Sequence, residues 1–250
     1  MRIGLIGSGN MARALAVGWG RPVTCSALEL EQAAALAALV GGTAVSSNMA
    51  VAEESDIVVL CHKPAQLGDV AAEIAESAPL VVSILAGVSI GDLRDAYPNS
   101  TVVRIMPNLA VEVRQATIGV VDDDCGDPES FAKIVELLEE LGDVAVIDES
   151  HFAVLTAISG VGPAYLALVA EAQVDAAVAE GLDPATAKML VGSTLRGSSE
   201  LLISRSNDSA QICREVATPG GVTEKGLAAL DRPLRDGFTA AMDAVLGRSK

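Results

Sequence analysis

Aromatic side chains are nearly missing from this sequence: one Trp, two Tyr and three Phe make up 2% of 250 residues. Half of the chain is nonetheless hydrophobic, so its core must be built from Ala, Val, Leu and Ile. At this length that core can serve one large domain or two modest ones. Positive charge is scarce too. The 17 Lys and Arg face 33 Asp and Glu, a net charge of -16. That balance argues against a nucleic-acid partner, because nothing would offset phosphate repulsion. It otherwise reads as a solvated acidic surface, and any anionic ligand must be held by backbone dipoles or single cations.

The four cysteines, Cys25, Cys61, Cys125 and Cys213, lie far apart with no C-x-x-C pair. Neither a metal site nor a disulfide framework is expected, and reduced thiols are the default. Met1 leads straight into an apolar strand without a charged n-region and an apolar h-region. No secretory signal is read, and a cytoplasmic location is expected. One uncharged run, Phe152 to Ala170, spans 19 residues. Gly160, Gly162 and Pro163 interrupt it, so it reads as a buried helix pair rather than a spanning helix and no membrane partner is expected.

The first half alternates short apolar runs with helical patterns, which predicts a parallel sheet with crossover helices. Strands are expected at Ile3–Ile6, Pro22–Ser26, Thr43–Val45, Asp56–Leu60, Pro79–Ile84 and Thr101–Ile105. Thr117–Val121 reads as an antiparallel edge, and a last strand as Val144–Ile147. Helices are expected from Asn10, over Leu28–Val40, from Pro64 and over Pro128–Leu141. Beyond His151 only helices are predicted: Phe152–Ile158, Pro163–Glu180, Pro184–Ser204, Ser209–Ala217, Thr223–Leu230 and Pro233 to the end. Asp183-Pro184 is a strong start signal, Asp as N-cap and Pro at the first helical position. The expected architecture is therefore α/β over residues 1–149, followed by an all-helical domain over 150–250.

The first strand runs into Gly7-Ser8-Gly9 and a helix follows at once, the context in which a Gly-rich motif suggests dinucleotide binding. Gly7 allows a tight turn, and Gly9 has no side chain to hold a pyrophosphate off the backbone. The amides opening the helix then point at phosphate with the helix dipole behind them. Ala12, in the third glycine's place, is small enough for close helix–strand packing. An acid about 20 residues further on holds a ribose 2′-hydroxyl, and an Arg there accepts a 2′-phosphate. Ser26-Ala27-Leu28 offers neither. Glu29 and Glu31 would repel a 2′-phosphate or simply solvate a helix start, so NADH and NADPH both remain open.

Loops leaving the other strands are Cys61-His62-Lys63-Pro64, Leu85-Ala86-Gly87 and Met106-Pro107-Asn108. His62 reads either as a general acid or as a packed loop residue. Ser159 to Tyr165 reads as a tight bend between apolar helices. Thr218-Pro219-Gly220-Gly221-Val222-Thr223 is a Gly-Gly turn before a helix, with Thr223 as candidate N-cap. Its amides could hold a small carboxylate without a basic side chain, and its two hydroxyls could contact a substrate nitrogen or carboxylate. A plain turn and cap is the alternative.

IGLIGSGNMA, CHKPAQ, VSILAGVSI, RIMPN, ISGVGPAY and TPGGVTEKGL, in this order and spacing, give a chain that resembles the pyrroline-5-carboxylate reductases over nearly its whole length. The resemblance implies an N-terminal Rossmann-type, doubly wound domain and a C-terminal helical dimerisation domain intertwined with a partner. It also implies an active site at the dimer interface, and dimers built into larger rings. It places the cofactor, NADPH or NADH, on Ile6, Gly7, Ser8, Gly9, Asn10, Met11, Asn48, Leu60, Cys61, Lys63 and Pro64, with Asn108 near the nicotinamide. It places the substrate on Thr218, Gly220, Gly221 and Thr223, with Glu171 on the interface helix and Thr223 hydrogen-bonding the ring nitrogen as the catalytic contact.

The chain departs from the family pattern at several points. Ser26-Ala27-Leu28 stands for Asn-Arg-Ser, His62 for Val, and no Thr-Pro follows Asn108; Gln173 and Ala177 also differ. The implied reaction is reduction of 1-pyrroline-5-carboxylate to L-proline by hydride from NAD(P)H; the sequence shows no obvious proton donor, a part that solvent could fill. A reductase of a different cyclic imine and a non-catalytic dinucleotide-binding homologue are the alternatives.

Overall fold

The computed structural model describes residues 1–121 and 127–248; the expectation for Cys125 falls outside them. Two compact units are formed, Met1–Val161 and Gly162–Lys250.

The first unit is an eight-stranded sheet in the order β3-β2-β1-β4-β5-β6-β7-β8. Its strands are β1 (Ile3–Ile6), β2 (Val23–Ser26), β3 (Thr43–Ala44), β4 (Ile57–Leu60), β5 (Leu80–Ser83), β6 (Thr101–Met106), β7 (Ala116–Val121) and β8 (Gly142–Ile147). All neighbours run parallel except β6 and β7. Helices α1 (Asn10–Trp19), α2 (Leu30–Val40), α3 (Asn48–Glu54), α4 (Leu67–Ile74), α5 (Ile90–Ala96) and α6 (Pro128–Glu139) supply the crossovers. Alternate strand residues serve opposite faces, as a period of two requires. Leu5, Val59 and Val103 pack with residues of α1, α2 and α6. Ile6, Val58 and Val102 pack with residues of α3, α4 and α5. The core is aliphatic, as the composition demands, with Trp19, Tyr97 and Phe152 the buried aromatics.

Two expectations are corrected here. β7 is antiparallel to β6 but is not an edge, because β8 pairs with it in parallel over six residue pairs. Helices α3 and α5 were not foreseen. They are seven residues each, started by Ser47, which accepts from the Ala50 amide, and by a Ser89–Asp92 capping box. The compact division lies at Val161/Gly162, with α7 (Phe152–Leu155) and a following π-turn, Thr156–Gly160, on the sheet side of it. Phe152 is buried with Met106 and Val121, and the Ser159 hydroxyl donates to the Thr117 carbonyl at 3.2 Å.

One buried cation pins that segment. The Arg104 guanidinium pairs with Glu149 and lies 3.5 Å from the Phe152 ring centroid. The same carboxylate accepts the Ile90 amide at 3.2 Å.

The second unit holds α8 (Gly162–Ala179), α9 (Pro184–Ser204), α10 (Ser209–Val216) and α11 (Val222–Val245). Asp183 caps α9 through the Thr186 amide at 2.8 Å, with Pro184 behind it. The expected break at Pro233 does not occur. Helix α11 runs through it, and the Asp231–Arg235 and Arg232–Asp236 pairs, 2.7 and 3.1 Å, flank the proline along the helix. Within Glu149–Ala179 an 18-residue window reaches a mean hydropathy of 1.8, long and apolar enough to cross a membrane, but the π-turn and the packing of Phe152 on the sheet divide the stretch.

Candidate functional site

Strand β1 sits where the strand order reverses, between β2 and β4, and ligands of open α/β sheets bind beyond the carboxyl ends of strands at such a point. Register does the positioning. Ile6 pairs with both Ser26 and Leu60, so the loops after β1, β2 and β4 emerge side by side. They line a groove of about 690 Å³. The Gly7 amide donates to the Ser26 carbonyl at 2.9 Å, and the Cys61 amide to the Ile6 carbonyl at 2.8 Å.

The two loop glycines have different tasks. Gly7 has φ +108° and presses on the Cys61–His62 backbone. At Gly9, the N-cap of α1, a Cβ would meet nothing within 4 Å. No side chain caps α1 and no acid lies in its first turn, so the amides at Asn10 and Met11 keep the unpaired donors of a helix start. This open cradle over a positive dipole end fits a dinucleotide pyrophosphate.

The groove also gathers Ile6, Ser8, Asn48, Cys61 and Lys63. Leu60 is fully buried, and Pro64 opens a 3-10 turn, Pro64–Gln66, fastened by the Lys63 amide to Gln66 Oε1 at 3.1 Å. Burial pushes the Cys61 thiol up to about 12, so it stays neutral and is no nucleophile. His62 Nδ1 lies 2.9 Å from the Lys63 carbonyl. A carbonyl only accepts, so Nδ1 carries the proton of the neutral ring. Burial lowers the His62 pKa and leaves Nε2 enclosed without a hydrogen-bond partner among the described residues, which speaks against a general acid.

Sequence reasoning missed Glu73. Asn48 takes a hydrogen bond from Ser26 Oγ at 2.7 Å and gives one to Glu73 Oε2 at 2.9 Å. Glu73 lies on α4, and no local pattern links residues 25 apart across two helices.

Asn108 lies at the end of β6, 8% exposed. Its Nδ2 donates to Ser159 Oγ at 3.1 Å, and its Oδ1 accepts the Ala110 amide at 3.1 Å. Its polar atoms thus hold the Met106–Ala110 turn against the π-turn.

In the second unit the Thr218–Thr223 turn is tight. Gly220 has φ +77°, and the Gly221 amide donates to the Thr218 carbonyl at 2.9 Å. The N-cap of α11 is Gly221, not Thr223, which lies in the first turn. Its hydroxyl, free of capping, makes no hydrogen bond to the described residues. The Gly220 amide, expected to be open, donates to Glu224 at 2.7 Å. Glu171 stands exposed on α8.

Comparisons with known proteins point to one family. Residues 149–250 match the family model described as pyrroline-5-carboxylate reductase dimerisation. Residues 2–87 match one described as NADP oxidoreductase, coenzyme F420-dependent. A pyrroline-5-carboxylate reductase of Thermus thermophilus is 35% identical over 258 residues, 99% of this chain and 97% of its own. One from Methanosarcina acetivorans is 31% identical over 261 residues, 100% of this chain and 97% of its own. The chain belongs to the pyrroline-5-carboxylate reductase family. Its fold is the family's. The solved structure of the Coxiella burnetii pyrroline-5-carboxylate reductase matches with a TM-score of 0.87 at 28% identity, covering 99% of this chain and 96% of that one. The Plasmodium falciparum pyrroline carboxylate reductase, solved with NADP bound, matches with a TM-score of 0.86 at 27% identity, covering 98% and 95%.

Proposed function

We propose that this chain reduces the carbon–nitrogen double bond of 1-pyrroline-5-carboxylate to give L-proline, as a cytoplasmic homodimer with its active site at the subunit interface. The observation that carries the reading is full-length similarity to pyrroline-5-carboxylate reductases combined with an intact pyrophosphate cradle at Gly7–Gly9. A reduced nicotinamide held in this groove supplies the hydride. The chain's own contribution is to hold the two reacting carbons close and aligned. Thr223 is the contact to the ring nitrogen, where negative charge builds in the transition state, and solvent supplies the proton. Thr218, Gly220 and Gly221 frame the substrate carboxylate, and Glu171 borders the site from the interface helix. The exposed Leu166, Leu168, Met189, Ile203 and Phe238 of the helical unit find cover in a second copy.

A second reading, reduction of a different cyclic imine, is favoured by Glu224, which occupies the Gly220 amide where a substrate carboxylate is expected. One experiment separates the readings. Purified protein is assayed with pyrroline and piperideine carboxylates, each with NADH and with NADPH. Turnover of pyrroline-5-carboxylate above the six-membered analogue supports the first reading, and the reverse order the second. Dinucleotide binding without turnover of any imine refutes both and leaves a non-catalytic homologue.

A further inference from the structure

We propose that Glu73 sets which dinucleotide the groove accepts, favouring the form with a free 2′-hydroxyl over the 2′-phosphorylated one. The proposal rests on the reading that the groove binds a nicotinamide dinucleotide. In sites that take the unphosphorylated form, an acid at the end of the second strand holds the adenosine ribose. Here that place is taken by Ser26, 2% exposed, whose hydroxyl is committed to Asn48 Oδ1 at 2.7 Å. This bond fixes the Asn48 amide so that its Nδ2 faces Glu73 Oε2 at 2.9 Å. The carboxylate missing from β2 is thus delivered to the same end of the groove from α4, by way of α3.

The charges around the groove complete the argument. Among the described residues lining it, Glu73 is the one acid and Lys63 the one Lys or Arg. Lys63 follows β4, whereas Ser26-Ala27-Leu28 at the end of β2 carry no cation to receive a phosphate. Glu73 Oε1 makes no hydrogen bond to the described residues, so it is available to a ribose hydroxyl. A 2′-phosphate brings nearly two negative charges to the same place, with no cation at the end of β2 to offset its repulsion from the carboxylate. Glu73 is exposed, so the discrimination is electrostatic, moderate and weakened by salt.

The test is fluorescence titration of the full-length protein with NADH and with NADPH, for wild type and Glu73→Gln, at low salt and at about 0.5 M salt. Wild type should bind NADH more tightly than NADPH. Glu73→Gln, which keeps the size and the partner for Asn48, should shift the ratio towards NADPH by about tenfold at low salt and by much less at high salt. A role confined to holding Asn48 would alter both affinities together and leave the salt dependence alone. An unchanged ratio in Glu73→Gln, or a wild type that prefers NADPH, overturns the proposal. Failure to bind either dinucleotide overturns it together with the function it rests on, whereas binding without imine turnover overturns that function alone.

Discussion

Gly7 and Cys61 approach so closely that a Cβ on the first would stand 2.6 Å from the carbonyl carbon of the second. Gly9, two residues on, has open space where its Cβ would stand. The two glycines should therefore fail differently. Gly7→Ala adds a clash with backbone to a strained φ, and should cost about 2–4 kcal/mol of stability in urea unfolding. Gly9→Ala should leave the unfolding midpoint nearly in place while weakening dinucleotide affinity by about tenfold or more, since its methyl enters the cradle. Equal stability losses in the two variants would contradict this division.

Arg104 is tied to Glu149 with a side chain 8% exposed, against 31% for the carboxylate. Glu149→Ala leaves a buried guanidinium unpaired and the Ile90 amide without its acceptor. The expected loss is about 2–3 kcal/mol, below the range for a wholly buried pair because Glu149 is partly solvated. Denaturant unfolding measures it, and a loss under about 1 kcal/mol would show that the segment is held without the pair.

His62 makes stability depend on pH. Burial lowers its pKa in the fold, so the unfolded chain binds its proton more readily. Its contribution is fully present above the unfolded value of about 6.5 and is lost as pH falls below it. His62→Val should lose less stability than wild type between about pH 7 and pH 5. Thermal midpoints across that window test the sign; parallel curves for the two proteins would remove His62 as a source.

The Thr218–Thr223 turn allows two opposed substitutions. Thr223→Ala should lower kcat/KM for the imine by about 1.5–3 kcal/mol, the worth of a hydrogen bond to a charged group. Glu224→Ala frees the Gly220 amide and removes a negative charge, so KM for a carboxylated imine should fall several-fold. Steady-state kinetics decides both, and a raised KM in Glu224→Ala would mean that the carboxylate orders the turn rather than blocking it.

Most of the first unit could be read from sequence because buried parallel strands are nearly pure Val, Ile and Leu, as in Ile57–Leu60. Asp183-Pro184 was legible for the same local reason: a cap and a fixed φ act within one turn. Helices of seven residues such as Asn48–Glu54 show too few turns for a 3.6-residue stripe. Pro233 was read as a stop because its cost is local, while the ion pairs that flank it in the helix emerge only once the helix exists. At the site, the Gly-rich loop was visible, but the Ser26–Asn48–Glu73 chain joins three separate elements through tertiary proximity.

Of the described residues beyond Gly162, Ala187 alone is buried. A region that gathers so little of its own apolar surface is poorly stabilised by its own packing. With the proposed second copy as its cover, this part of the chain should fold by mass action: the transition should move to higher temperature as chain concentration rises, and dilution should act as a denaturant. A thermal midpoint independent of concentration over two decades would mean that the helices are held by some other means.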